Sequence, residues 1–397
     1  MISRRHVLAG AAAAPLAGCL GYGDWRPAPS DPPQVDRLFD DRFAEAAAAA
    51  RLELRRALER LGAPSMTAAV AAEGRLVWAG AVGWADLEAR VPAAIDTIYR
   101  IGSTSKAVTA TVLARLVDEG RIGLDQPVGQ VAAAPLPNPA WADLTPRRLA
   151  SHTAGLPGYE ENRDLWGLAQ TVLKRRRFAS TREALEVFDD TPLLYAPGER
   201  YLYSSFDVNL LAYALEGAGA ASYLDLVGSR VRAPLGLATP LADAPADRTR
   251  AVSYEKRGDG RLRRWRPVDL SDKHPSGGLS ATSADLARLG AAWLDPRFVR
   301  PATREAFWTE QALNDGRPNG DNYAIGWRVN RSPLLLGPDR PVTSVNHAGV
   351  SQGAWSWLNV YPEQGLAVAL NTNMRGGEVR DFLRMEPALS GPFAPRP

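Results

Sequence analysis

Ile101-Gly102-Ser103-Thr104-Ser105-Lys106, running on into Ala107-Val108-Thr109-Ala110-Thr111-Val112-Leu113-Ala114-Arg115-Leu116-Val117, is the stretch whose reading decides the fold. It sets a hydroxyl and an amine three residues apart at the head of a helix that is apolar nearly all round. Helix positions i and i+3 share a face, so the Lys106 amine comes within hydrogen-bond reach of the Ser103 hydroxyl. A helix apolar all round is a buried one. Burial disfavours the ammonium form, so this lysine can hold a free amine near neutral pH and take the serine proton. Ser-x-x-Lys alone is a common pairing, but a lysine serving a surface ion pair would not lead such a helix. Gly120 predicts the helix stop, followed by a Gly123-Leu124-Asp125 turn.

The 397 residues suffice for a large core, and at about 150 residues per domain they allow two or three domains. With 47 basic and 44 acidic residues the net charge is +3, and it falls to +1 once Arg4 and Arg5 are removed with the leader. Such a balance carries no nucleic-acid signature. The basic run Lys174 to Arg177 reads as a solvated helix face. Residues 1–19 read as an export signal. Ser3-Arg4-Arg5-His6-Val7-Leu8 is a twin-arginine pattern, and the apolar run from Val7 to Ala17 is too short to span a membrane. Leu16-Ala17-Gly18-Cys19 has the form of a bacterial lipobox, which makes Cys19 the expected lipidation site and the first residue of the mature chain. Cys19 is the one cysteine present, so no disulfide forms within a chain.

Residues 20–36, with Pro27, Pro29, Pro32 and Pro33, read as an extended tether. Asp36 to Leu61 reads as one long helix stopped by Gly62 and Pro64. Met66 to Ala72 and Leu76 to Trp84 flank the turn signal Glu73-Gly74-Arg75 and predict a hairpin. Thr97 to Ile101 then leads into the Ser103 helix. About 135–267 is rich in Pro, Gly and Arg, with helical stretches at Thr181 to Phe188 and Val208 to Leu215, and reads as an inserted helical region. Gly277 to Asp285 predicts a tight turn and a capped helix running to Trp293. Tyr323 to Asn330, Ala354 to Tyr361 and Leu366 to Thr372 read as strands, and residues 376–397 as a loose tail. The enzymatic domain is therefore expected over 37–375.

Five stretches in order carry a resemblance: Ile101 to Lys106; Leu149-Ala150-Ser151-His152-Thr153-Ala154-Gly155-Leu156-Pro157; Pro197-Gly198-Glu199-Arg200-Tyr201-Leu202-Tyr203-Ser204-Ser205; Gly277 to Asp285; and Asn346-His347-Ala348-Gly349. Over about residues 40–375 the chain resembles the serine β-lactamase and penicillin-binding-protein superfamily, in its class-C-like branch of esterases, D-aminopeptidases and mitochondrial β-lactamase-like proteases. The resemblance implies an α/β (α+β) fold of β-lactamase/transpeptidase type, an antiparallel sheet flanked by helices with a helical insertion. It implies Tyr203 as a phenol relaying protons beside Ser103 and Lys106, with a tyrosinate there stabilised by the lysine's charge. It implies the backbone N–H groups of Ser103 and Val350 as the oxyanion hole. His347 and Gly349 fall on the strand edging the site, where a missing side chain would let substrate lie against the backbone. His152 reads as a scaffold histidine. Besides His6, only His152, His274 and His347 occur, none at ligand spacing to another, so neither metal nor other cofactor is expected.

Two positions depart from the family pattern. Ser205 stands where an Asn holding the substrate amide is usual, and Ala348 where a Thr or Ser binding a substrate carboxylate is usual. Small esters or peptide amides are therefore expected to outrank penicillins and cephalosporins, although His347 or an arginine such as Arg375 could rebuild a carboxylate site. The expected protein is an exported, lipid-anchored serine hydrolase working through an acyl-enzyme on Ser103. The rivals are a β-lactamase or D,D-carboxypeptidase and a catalytically silent cell-envelope binding protein. Oligomeric state is left open.

Overall fold

The computed structural model describes residues 21–164, 169 and 176–395, so the leader, Cys19 and Lys174 lie outside the described residues. The chain opens with β1 (Gly21–Arg26) and β2 (Gln34–Leu38), then helix α1 (Ala44–Leu61) and the hairpin β3 (Ser65–Ala72) and β4 (Arg75–Asp86). Glu73 and Gly74 close that hairpin at φ 52° and 78°, the left-handed pair that a two-residue turn requires. The short β5 (Val91–Pro92) and β6 (Tyr99–Arg100) lead to the 3-10 turn Gly102–Thr104 and helix α2 (Ser105–Asp118). Helix α3 (Ser205–Gly219) follows, then β7 (Leu241–Ala242), β8 (Tyr254–Lys256), β9 (Leu262–Trp265), β10 (Leu279–Ala281) and helix α4 (Ser283–Ala292). The last strands are β11 (Arg328–Ser332), β12 (Val342–Ser351), β13 (Ala354–Tyr361), β14 (Leu366–Thr372) and β15 (Met374–Arg375).

One antiparallel sheet in the order β11-β12-β13-β14-β3-β4-β2 forms the middle layer. Its central strands are buried on both faces, and side chains alternate between two cores as the strand period of two requires. Ala69, Ala71, Leu358, Val360, Ala367 and Ala369 meet α2, α3 and α4, while Met66, Val70, Trp355, Tyr361, Val368 and Leu370 meet α1. Helix α1 buries Ala46, Ala47, Ala50, Leu54, Ala57, Leu58 and Leu61, one stripe at helical spacing, and Gly62 at φ 57° ends it. Gly290 of α4 lies so close to the sheet that a β-carbon there would come 2.9 Å from the Ala367 methyl. The expected architecture, an antiparallel sheet flanked by helices, is what the structure shows.

The ends of the chain differ from expectation. The stretch read as a tether is built into the protein, because β1 pairs with β9 and β2 pairs with β4 as an edge strand. The helix predicted from Asp36 starts only at Ala44, since Asp40 caps the preceding turn by accepting the Arg42 N–H. Residues 376–397 are no loose tail: helices Val379–Leu383 and Glu386–Ser390 bury Phe382, Met385, Leu389 and Phe393 in the α1-side core. The insertion is not purely helical, for β8 and β9 join β1 and β15 in a second sheet. Tyr323 to Trp327 is a turn rather than a strand. Gly326, at φ 74°, packs on α2, where a β-carbon would come 2.5 Å from the Ala110 methyl.

Candidate active site

Ser103 sits in the 3-10 turn just ahead of α2, half-buried, at the edge of the sheet where β12 runs past. Gly102 takes φ 49°, and a β-carbon there would lie 2.5 Å from the Val350 carbonyl oxygen, so only glycine lets the nucleophile turn approach the strand this closely. The Thr104 hydroxyl donates to the His347 carbonyl at 3.3 Å, and the Ile101 N–H donates to the Leu279 carbonyl at 3.0 Å. The turn is thus clamped between β12 and β10. The backbone of Val350, expected as an oxyanion donor, lies against this turn.

Lys106, in the first turn of α2, is 1% exposed. Its Nζ lies 2.8 Å from the Ser276 carbonyl oxygen, 3.3 Å from Ser205 Oγ and 3.4 Å from Ser103 Oγ. Burial lowers its pKa to about 7, and the nearby Lys273 adds to the effect while Asp207 opposes it. A neutral amine carries two N–H bonds and one lone pair. If the two donate to Ser276 and Ser205, the lone pair faces the Ser103 hydroxyl, the arrangement a general base needs.

Tyr203 comes from the extended segment before α3, where Ser204 caps the helix by accepting the Phe206 N–H at 3.1 Å. Lys106 Nζ lies 4.8 Å from the centre of the Tyr203 ring. Burial raises the phenol's pKa to about 12, partly offset by a hydrogen bond with Ser103. The tyrosinate expected from the resemblance is therefore corrected. With Lys106 lowered to about 7 and Tyr203 raised to about 12, the amine is the more available proton acceptor of the two near neutral pH.

Beneath Tyr203 the His152 ring lies 4.4 Å away, its Nδ1 2.9 Å from Asp207 Oδ2. Burial and the Lys106 charge hold the imidazole pKa well below its usual value, and burial holds the Asp207 carboxyl well above its own. The His152–Asp207 contact thus packs against the Tyr203 ring.

The family described as Beta-lactamase matches residues 41–389. The chain belongs to this family. It is 27% identical to the human mitochondrial serine beta-lactamase-like protein LACTB over 81% of this chain and 73% of that protein. It is 28% identical to esterase EstB of Burkholderia gladioli over 77% of this chain and 85% of EstB. Among solved structures, a D-stereospecific amidohydrolase from Streptomyces shares the fold with a TM-score of 0.68 at 23% identity, covering 86% of this chain and 98% of that one. This beta-lactamase-family chain thus falls in a serine hydrolase superfamily and has an esterase among its relatives.

His347, Gly349, Ser205 and Ala348 lie in surroundings that the sequence did not show. His347 is 2% exposed, with Nε2 2.9 Å from the Tyr323 hydroxyl and Nδ1 2.8 Å from the Ala348 carbonyl oxygen. Burial lowers its pKa to about 3, so it is a neutral buried ring with both nitrogens engaged inside the protein. Gly349 serves packing rather than substrate access, since a β-carbon there would fall 1.8 Å from the Ile101 carbonyl oxygen. Ser205 turns its hydroxyl to Lys106. Ala348 pairs across the strands with Trp357 and packs on the α1-side core. Two contributors were missed, the Ser276 carbonyl that holds Lys106 and the half-buried Lys273. The Gly277-Gly278 pair signalled a turn there, though not what it positions.

The pH profile follows from the lysine. The base must be neutral, so kcat/KM for an uncharged ester is expected to rise as pH climbs through about 7 and then level off, the Tyr203 limb lying near 12. A profile flat from pH 5 to 9 would remove Lys106 as the base.

Proposed function

We propose that this protein is an exported serine hydrolase that cleaves an ester or amide bond through an acyl-enzyme on Ser103. Lys106 takes the hydroxyl proton as Ser103 Oγ attacks the acyl carbon. The proton passes by way of Tyr203 to the departing alkoxide or amine, and water then releases the acyl group. The N–H groups of Ser103 and Val350 stabilise the oxyanion. The observation that carries this reading is the buried Lys106 amine, within hydrogen-bond reach of Ser103, with its pKa lowered to about 7. An amine poised in this way also speaks against a silent binding protein. The name of the relative EstB favours ester chemistry. The test is fluorophosphonate labelling of wild type against Ser103→Ala, beside kcat/KM for a short-chain p-nitrophenyl ester, a D-amino-acid amide and a chromogenic cephalosporin. Labelling lost with Ser103, and a cephalosporin value below the other two, are expected. A cephalosporin value at or above them would replace this reading with a β-lactamase.

The place of action proposed is the cell envelope, through lipid on Cys19. Each buried CH₂ contributes about 0.8 kcal/mol of membrane affinity, so multiple acylation anchors firmly. Cys19→Ser is expected to move the protein from the membrane fraction to the soluble one. Mass spectrometry finding an unmodified Cys19, or cleavage elsewhere, would refute the anchor.

A further inference from the structure

Lys273 lies on the segment between α3 and β10, and its side chain reaches the nucleophile turn across a gap left by glycine. A β-carbon built on Gly277 would lie 3.8 Å from the Gly102 carbonyl carbon on one side, and 3.8 and 3.9 Å from Lys273 Cδ and Cε on the other. The ammonium is thus held near the nucleophile turn, close enough to act electrostatically on both Lys106 and Tyr203. Its nearest aromatic contact is the Tyr159 ring, with Nζ 5.6 Å from the centre. Asp272, its neighbour in sequence, acts on it electrostatically, but among the described residues no carboxylate lies within ion-pair distance of Nζ. Two other cations near the site are paired, Arg100 with Asp243 at 2.9 Å and Arg328 with Asp321. Arg375, the other cation near Lys273 without a carboxylate partner among the described residues, stands over Trp265 with its guanidinium 5.7 Å from the ring centre.

A half-buried ammonium with no carboxylate in direct contact is costly to hold, and the cost is recovered where a ligand brings an anion into contact. We propose that Lys273 is a specificity-determining residue that binds a carboxylate on the substrate, so that the preferred esters or amides carry an acidic group on the acyl chain. This rests on the hydrolase reading above and names its substrate class. The anion is met from the β10 side of the cleft, whereas the family position at Ala348 faces the α1-side core. Arg375 adds a second positive charge near Lys273.

The test compares two p-nitrophenyl esters of equal chain length, the neutral hexanoate and the half-ester of adipate, with the intact enzyme. Wild type is expected to favour the adipate half-ester in kcat/KM. Lys273→Met should lower the adipate-to-hexanoate ratio by about tenfold or more, the loss typical of a hydrogen bond to a charged group. Lys273→Arg, which keeps the charge, should preserve most of the ratio. If Lys273 only packs on Tyr159 or only depresses the Lys106 pKa, Lys273→Met shifts both esters together, with the same displacement of the pH limb, and the ratio stays put. That outcome, or a wild-type preference for hexanoate, overturns the proposal. Failure of wild type to hydrolyse either ester and to take the fluorophosphonate label at Ser103 would instead overturn the hydrolase reading itself.

Discussion

Ser103→Ala is expected to lower kcat by roughly 10³ to 10⁶, the range typical of removing a nucleophile, while leaving thermal stability close to that of wild type. The hydroxyl is half-buried, and the only part of the Lys106 network that disappears with it is the 3.4 Å contact to Nζ. Ser276 and Ser205 still hold the amine, so the site should keep its shape. Lys106→Met should be nearly as severe, because a serine hydroxyl without a base is a poor nucleophile. The double variant should be no slower than the worse single one, since the two residues act as a unit. Losses that simply multiply in the double variant, or ester turnover surviving in a clean Ser103→Ala preparation, would sink the assignment.

The second large effect is expected at a residue without a side chain, packed against the nucleophile turn. Gly349→Ala places a methyl 1.8 Å from the Ile101 carbonyl oxygen and within 2.7 Å of Thr104 Oγ1, so β12 must withdraw from the nucleophile turn. Overpacking of this kind costs about 1 to 3 kcal/mol of stability, and a displacement of about 1 Å at a reacting centre can cost about 10²-fold in rate. Both a lowered Tm and a lowered kcat/KM should appear, in contrast to Gly228→Ala, where a β-carbon meets nothing within 4 Å. Should Gly349→Ala melt and react like wild type, the close packing of strand on turn described above would be wrong.

Local signals made much of this legible in the sequence. The hairpin around Glu73-Gly74 and the buried run after Ser103 follow from turn chemistry and apolar periodicity, and the capped helix at Thr282 follows from its capping residues. The C-terminal helices were hidden because Pro387 and Pro392 read as breakers, although proline is tolerated in the first turn, where its missing N–H has no partner to lose. Strand β2 was hidden by the prolines before it and by the polar residues of an edge strand. Within the site, Ser103 and Lys106 are coupled by helical spacing and can be read from one line of sequence. Lys273 cannot, because a lone lysine in a loop acquires its meaning only when Gly277 brings it to the nucleophile turn. Gly349 was noticed for the right reason, a close approach, but the body approaching is Ile101 rather than substrate.

The strand pairing of Gly21–Arg26 bears on the enzyme's reach. If Cys19 carries lipid, Leu20 alone separates the anchor from backbone already fastened to β9 and the second sheet. A long flexible linker would let a catalytic domain sweep a hemisphere of several nanometres; a lipid on Cys19 would instead moor this protein flush with the bilayer and hold it in one orientation. Its encounters would then be confined to a thin layer above the lipid headgroups. Lengthening the connection between Cys19 and Gly21 would widen the territory served without altering the rate of any single turnover.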